Sequence, residues 1–462
     1  MNRYSDLPLS FSCDVLVLGG GPAGFCAAVA AARTGADTLL VEANGCCGGM
    51  ATMGLVGPFM TCYDKSGENM IIRGLFEELV DRLVAEDGAI HPSKVRAGTA
   101  FTSWIVVGHD HVTPFDPEVL KCVMDDMLIE AGVHVLYHTS FVEPVIDGRR
   151  ITGVIVSSKA GLQKISAETV IDCTGDADVA FRSGVSCEKG NSELGITQPA
   201  TLFFRIGNVD TEKLEADIDA NRDNFYRKDG VNYRSLHWRV SEARENGDWS
   251  LKRVSIGLFR GVRPDEFSIN TSRIMGVDAT SNESLTSGEM EGRRQVKEIF
   301  RFFRKYVPGC ENAKLLSTAS TLGIRESRHI RGKHVLTSDE ILNGTVPEDA
   351  VFVASNSVDV HGRFGPMSNE YTPIEHGEYY GVSYGCLVPD GIDALLVAGR
   401  SVSATSEAAG AIRVMPPCMA LGQAAGTAAA LCVREHCTPA ELDTRKLRAA
   451  LRQQKVYLGE EG

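Results

Sequence analysis

Six residues, Gly19-Gly20-Gly21-Pro22-Ala23-Gly24, followed eighteen residues beyond Gly24 by Glu42, carry the strongest chemical signal in the chain. Gly19 permits a tight turn, Gly21 lets the backbone approach a pyrophosphate, and Gly24 lets a helix pack closely on a strand. A helix opening there presents free N–H groups and a positive dipole end to phosphates. Glu42 can accept hydrogen bonds from a ribose diol. The flanking runs complete the pattern: apolar Asp14–Leu18 before the glycines, alanine-rich Phe25–Thr34 after them, and apolar Thr38–Val41 ending on Glu42. Strand, glycine turn, helix, strand and acid together indicate a dinucleotide site rather than an ordinary βαβ unit.

A second group of residues offers proton and anion chemistry. In Asp359-Val-His-Gly-Arg363 the alternation of Asp359 and His361 places both on one face of an extended segment. Asp359 can then set the tautomer of His361, and His361 can take or give a proton. Arg325, Arg328 and Arg331 crowd around Glu326, with Arg325 a candidate substrate contact. Arg413 is a candidate for binding an anionic substrate or the cofactor. A purely structural polar cluster at a domain seam is the plain alternative for this group. Cys46 and Cys47 are adjacent, a poor geometry for a disulfide, and sit in a loop whose Gly48, Gly49 and Met50 are expected to pass close to a cofactor. A thiol–disulfide enzyme using Cys46, Cys47 or Cys62 is a rival reading. His91–Thr113 reads as irregular; His109 and His111 would share one side if it were a strand, but surface or loop histidines are the better reading, and metal binding by these two alone is not expected.

The elements that must position these residues follow from patterning. Gly74–Val84 has helical spacing of apolar residues. Asp116 and Pro117 cap a helix that Gly132 closes. Val133–His138 reads as a strand, and Asp147-Gly148 joins Phe141–Val145 to Ile151–Ser157 as a hairpin. Thr201–Ile206, Arg253–Phe259 and Phe267–Arg273 read as strands, Ser287–Tyr306 as a helix, and Asp210–Asn246 as polar surface. Pro416-Pro417 open an Ala/Gly-rich helix over Cys418–Val433, where Gly422 and Gly426 bare one face for close packing.

The chain has 462 residues, 43% apolar and 23% charged, and a net charge of −13, which argues for a soluble protein of more than one core and against nucleic acid as partner. No apolar run is long enough to span a membrane. Thirteen scattered cysteines without an export signal suggest reduced thiols and a cytoplasmic location. No repeated Cys-x-x-Cys pairs suggest a metal or iron–sulfur site.

Four stretches point to a family. The Gly19–Gly24 turn with Glu42, the hairpin and Ile171-Asp-Cys-Thr-Gly-Asp176 resemble the glutathione-reductase-like FAD flavoproteins. Leu322–Arg328, Tyr384–Pro389 with Leu395–Arg400, and Arg413–Gly426 extend the resemblance over almost the whole chain, to the bacterial FAD-dependent oxidoreductases, relatives of the heterodisulfide reductase flavoprotein and of tricarballylate-dehydrogenase-like flavoproteins. The resemblance implies an α/β fold: a Rossmann-like FAD-binding domain over 1–198 and 391–462, an inserted α+β substrate domain over 199–308, and a seam over 309–390. It implies FAD as cofactor, with Gly19, Gly21, Pro22, Ala23, Gly24, Glu42, Ala43, Gly48, Gly49, Met50, Val142, Thr174, Gly175, Asp176, Gly399, Arg400 and Leu421 near it. The start of the Pro416-Pro417 helix would face the flavin, its dipole favouring a reduced, negative ring. The cluster cysteines of heterodisulfide reductase are missing, so that activity is not implied. No second glycine fingerprint for a nicotinamide nucleotide occurs. The expected activity is hydride transfer between FAD and a small polar metabolite, with a separate electron donor or acceptor. A flavin module without its own substrate is the other alternative, and a homo-oligomer is compatible with the sequence.

Overall fold

A computed structural model describes residues 7–191, 195–228, 231–362 and 369–459. The chain opens with β1 (Leu9–Leu18), α1 (Pro22–Arg33) and β2 (Thr38–Val41). After α2 (Leu75–Ala85) and α3 (Pro117–Ala131) come β3 (His134–Leu136), β4 (Ser140–Asp147), β5 (Arg150–Ser158) and β6 (Gly161–Asp172). These form one sheet in the order β3-β2-β1-β6-β5-β4. The β3-β2-β1-β6 pairs are parallel, whereas β4, β5 and β6 form an antiparallel meander. On its edge away from β1, β6 serves two neighbours in turn. Its first half pairs with β5, and its last residues, Val170–Asp172, pair with a late strand described below. The C-terminal half of β1 and all of β2 are buried, as in a sheet covered on both faces. This is the α/β Rossmann-like architecture expected.

A second core lies in the middle of the chain. β7 (Phe204–Gly207), β8 (Leu258–Arg260) and β9 (Phe267–Ile269) precede α4 (Asn282–Tyr306), which is followed by β10 (Lys314–Thr318). The strands form an antiparallel sheet in the order β8-β9-β7-β10. α4 buries Val296, Ile299, Phe302 and Phe303 in the same cluster as Phe204, Ile206, Phe267 and Ile269. The sheet thus draws on residues beyond 308.

Several strands are shorter than their apolar runs suggest. Residues 253–257 are not strand: Ser255 Oγ donates to the Asn232 carbonyl at 2.7 Å and accepts from Arg234 N at 3.0 Å. Beyond Ile269, Thr271 Oγ1 and Ser272 Oγ hydrogen-bond the backbones of Gly257 and Leu202. Such side-chain bonds compete with ladder formation. α4 begins five residues earlier than its apolar stripe, at Asn282, because Ser281 Oγ caps Ser284 N at 3.2 Å.

The chain then returns to the first domain through β11 (Val358–His361), β12 (Leu395–Val397), α5 (Ser406–Ile412) and α6 (Met415–Glu435). β12 lies parallel to the end of β6. α6 packs directly on α1: a Cβ at Gly422 would lie 2.0 Å from the Ala23 carbonyl oxygen, and one at Gly426 2.1 Å from that of Ala27. Among the described residues no helix is long and apolar enough to cross a membrane.

Candidate functional site

The glycine turn joins β1 to α1. Gly19 has φ +98, and a Cβ there would sit 2.4 Å from the Cys173 carbonyl oxygen, so a side chain is excluded on two grounds. Gly24 has a packing role, since its Cβ would meet the Gly19 carbonyl oxygen at 1.7 Å. Gly21 caps α1 without a side-chain bond, and the first turn holds no acid. The loop after β2 folds back on the turn, Gly48 N donating to the Gly20 carbonyl at 2.8 Å. Glu42 ends this unit. One of its carboxylate oxygens accepts from Gly20 N at 2.6 Å, and the other from Asn44 N and Nδ2 at 2.8 and 2.6 Å.

One cavity of about 1180 Å³ runs from this turn to the domain seam, above the roughly 300–1,000 Å³ usual for a single small ligand. Gly19, Gly21, Pro22, Ala23, Glu42, Ala43, Gly49 and Met50 line one part, with Thr174, Gly175, Asp176, Gly399 and Arg400. The turn after β6 is built by Asp172, whose carboxylate accepts from Thr174, Val179 and Ala180. Asp176 binds Ser327 Oγ at 2.6 Å and Arg400 Nη2 at 2.7 Å. Three motifs far apart in sequence therefore meet at one carboxylate.

At the seam, β11 buries Val358 and Val360 and turns Asp359 and His361 into the cavity. His361 Nε2 lies 3.3 Å from Asp359 Oδ2, and Arg413 Nη2 lies 3.6 Å from the same oxygen. Arg413 leaves α5 close to β11, since a Cβ on Gly410 would be 2.8 Å from the Asp359 carbonyl oxygen. Arg325 also lines the cavity, and its Nη1 donates to the Pro199 carbonyl at 2.7 Å and to Thr201 Oγ1 at 2.8 Å. Glu326 is buried behind them, accepting from Gln198 N at 2.9 Å and from Ser406 Oγ; Gln198 Oε1 in turn accepts from His361 N at 3.0 Å. Glu326 therefore fixes the seam rather than facing the cavity.

Burial pushes the His361 imidazole down to about 4, further than the Asp359 carboxylate restores it, and the charges of Arg325 and Arg413 add to the fall. Burial would raise Asp359, but contact with His361 and the charges of Arg413 and Arg325 hold its carboxyl below the ordinary range. At neutral pH the pair is a neutral imidazole beside a carboxylate.

Not every expected residue reaches the cavity. Leu421 is fully buried in the α1–α6 core, one helical turn and more below the start of α6, and is not a lining residue. Val142 alternates with the lining residue Phe141 along β4 and does not line the cavity either, and Gly24 and Gly48 act by packing. Arg328 pairs with Asp178 at 2.9 Å, and Arg331 pairs with Glu188 outside the cavity. Arg363 lies outside the described residues. Cys46, Cys47 and Cys62 do not line the cavity, and burial pushes the Cys47 thiol up to about 12 and that of Cys62 higher still. His109 and His111 lie in an irregular stretch, as read from the sequence: the chain turns there, with His111 at φ +54. His111 is buried against Tyr63, ring centroids 4.0 Å apart, and both histidines line the cavity. Arg234, from the stretch read as polar surface, and Arg253, from the run read as strand, also line it. Neither carries a motif: Arg253 lies in the turn that replaces its expected strand, and the backbone of Arg234 is held by Ser255 Oγ of that same turn.

A family model described as FAD dependent oxidoreductase matches residues 14–451. The thiamine thiazole synthase of Aeropyrum pernix is 29% identical over 190 residues, covering 39% of this chain and 60% of that protein. The chloroplastic geranylgeranyl diphosphate reductase of Nicotiana tabacum is 32% identical over 126 residues, 26% of this chain and 24% of that protein. The chain thus spans less than two thirds of the length of the curated relatives it matches. Among solved structures, an L-proline dehydrogenase from P. horikoshii aligns over 98% of this chain and 100% of its own at 12% identity and a TM-score of 0.44. A geranylgeranyl bacteriochlorophyll reductase-like protein from Thermoplasma acidophilum aligns over 96% of this chain and 82% of its own at 13% identity and a TM-score of 0.43.

Proposed function

The chain belongs to the FAD dependent oxidoreductase family, and from that premise we propose that it moves a hydride between FAD and a C–H bond of a small polar substrate, with His361 handling the accompanying proton. The observation that carries this reading is that the glycine turn, the start of α6 and the Asp359–His361 pair line a single cavity. The residues present suit FAD. Two helix starts, those of α1 and α6, face the cavity without side-chain caps and without an acid in their first turns, so both dipoles can meet an anionic group, although Pro416 and Pro417 leave α6 few free N–H groups. The α1 start and the Gly19–Gly21 backbone would hold the pyrophosphate, the Glu42 carboxylate the ribose, and the Val414–Met415 end of α6 the flavin.

When bound, FAD supplies the two-electron chemistry. Around it, Arg413 and Asp359 brace one another, and the contact from His361 Nε2 to Asp359 fixes the tautomer with its proton on Nε2, which makes Nδ1 the basic nitrogen. Arg325, anchored on Pro199 and Thr201, orients the substrate. A thiol–disulfide reaction finds less support, because Cys46, Cys47 and Cys62 lie outside the cavity lining. The second core beside the cavity favours an enzyme with its own substrate over a bare electron-transfer module.

The test is anaerobic flavin reduction by substrate in His361→Asn. Reduction is expected to slow by roughly 10²–10⁴, the usual yield of general acid–base catalysis, with the FAD spectrum retained. A parental rate would place the proton elsewhere, and loss of FAD would make His361 structural.

A further inference from the structure

Resting on the hydride-transfer reading, we propose that the substrate is a small organic anion with at least two carboxylates, bound by a wall of arginines in which Arg234 and Arg253 of the second core set specificity. Arg234, Arg253, Arg325 and Arg413 all line the cavity that contains Asp359. Asp359 is matched by Arg413. The other lining acids are committed elsewhere: Asp64 to Asn69 and its own loop, Asp110 to Ala97 N and His111, Asp176 to Arg400, Asp178 to Arg328, and Glu42 to Gly20 and Asn44. Arg325 donates to neutral oxygens and shares the one Asp359 carboxylate with Arg413, at longer range.

Arg234 and Arg253 make no side-chain hydrogen bond or ion pair among the described residues, and Arg253 Nε is buried without a partner. Burial and the neighbouring charges of Arg273 and Arg234 push Arg253 down to about 9, and burial with Arg413 does the same for Arg325. Buried like charges without counter-ions are costly, and an anion between them removes that cost. A planar guanidinium presents paired donors that match a carboxylate in bidentate fashion. Four guanidiniums are set against the single Asp359 carboxylate, and the excess is more than one further carboxylate can neutralise. The phosphates of FAD are assigned to the glycine turn and leave this wall free for the substrate.

The experiment titrates the full-length FAD-loaded protein with succinate and citrate, and with their uncharged amides, reading the flavin difference spectrum. The acids are expected to perturb the flavin saturably, with an apparent Kd that rises with sodium chloride, and the amides to bind at least roughly tenfold more weakly, the scale of one lost charge-assisted contact. Arg234→Gln and Arg253→Gln should each weaken the acids by a similar factor at unchanged FAD content, and Arg253→Lys should recover part of the loss. Equal binding of acids and amides, no saturable perturbation by either acid, or variants that bind like the wild type would overturn the proposal. The acid-against-amide comparison in the wild type needs no variant to fold. Because these probes need no turnover, the two readings separate: bleaching by a neutral metabolite without acid binding sinks the anion proposal alone, and acid binding without bleaching by any metabolite sinks hydride transfer alone.

Discussion

Glu42 and His361 each carry more than the residue type announces. The Glu42 carboxylate already accepts three hydrogen bonds that tie the glycine turn to the loop after β2. Glu42→Ala should therefore remove a ribose acceptor and also orphan Gly20 N and Asn44 N, weakening FAD binding by about 1–3 kcal/mol or more; an FAD titration of the apoprotein reads it, and an unchanged Kd would remove Glu42 from the site. His361 bears on pH. Its ordinary value of 6.5 falls to about 4 in the fold, so the basic form exists above about 4 and is lost only below it. The rate of flavin reduction by substrate should stay flat through pH 6–7 and fall on an acid limb near 4, and a limb near 6.5 would contradict this environment for the imidazole. The Asp359–His361 pairing was legible from alternation alone, because period two is a property of any strand. Arg234 and Arg253 were not legible, because turns made by Ser255 and Thr271 set their direction, and those turns depend on contacts remote in sequence.

At the scale of elements, the two helix starts at the cavity depend on how α1 and α6 pack. Gly422 and Gly426 bring α6 against the backbone of α1 with no room for a Cβ. Gly426→Val should drive the helices apart, costing about 1–3 kcal/mol or more by overpacking, and lower both Tm and FAD content; a variant with parental Tm and cofactor would refute the close contact. This face could be read in the sequence because two glycines four residues apart in a helix have few other uses. The βαβ unit and hairpin were equally legible, since glycine turns and Asp147-Gly148 act locally. The short strands of the second core were misjudged in length, because Ser and Thr side chains end them by bonding to neighbouring backbone.

For the whole molecule, a chain of net charge −13 brings Arg234, Arg253, Arg325 and Arg413 to one cavity around the single Asp359 carboxylate. The anion proposed for the seam would carry a charge of the same sign as the chain's net charge and opposite to that of the arginines it meets. One glycine fingerprint serves one dinucleotide, and no second strand–glycine–helix unit is present in the sequence. The central claim is that electrons enter or leave the flavin through an organic substrate at the Asp359–His361 seam. The most direct measurement is anaerobic stopped-flow mixing of the FAD-loaded protein with a panel of small organic acids and neutral metabolites, alongside NADH and NADPH. Fast, saturable bleaching by at least one organic acid and none by either nucleotide is the expected result; bleaching by a nucleotide alone would rule out electron entry through an organic substrate.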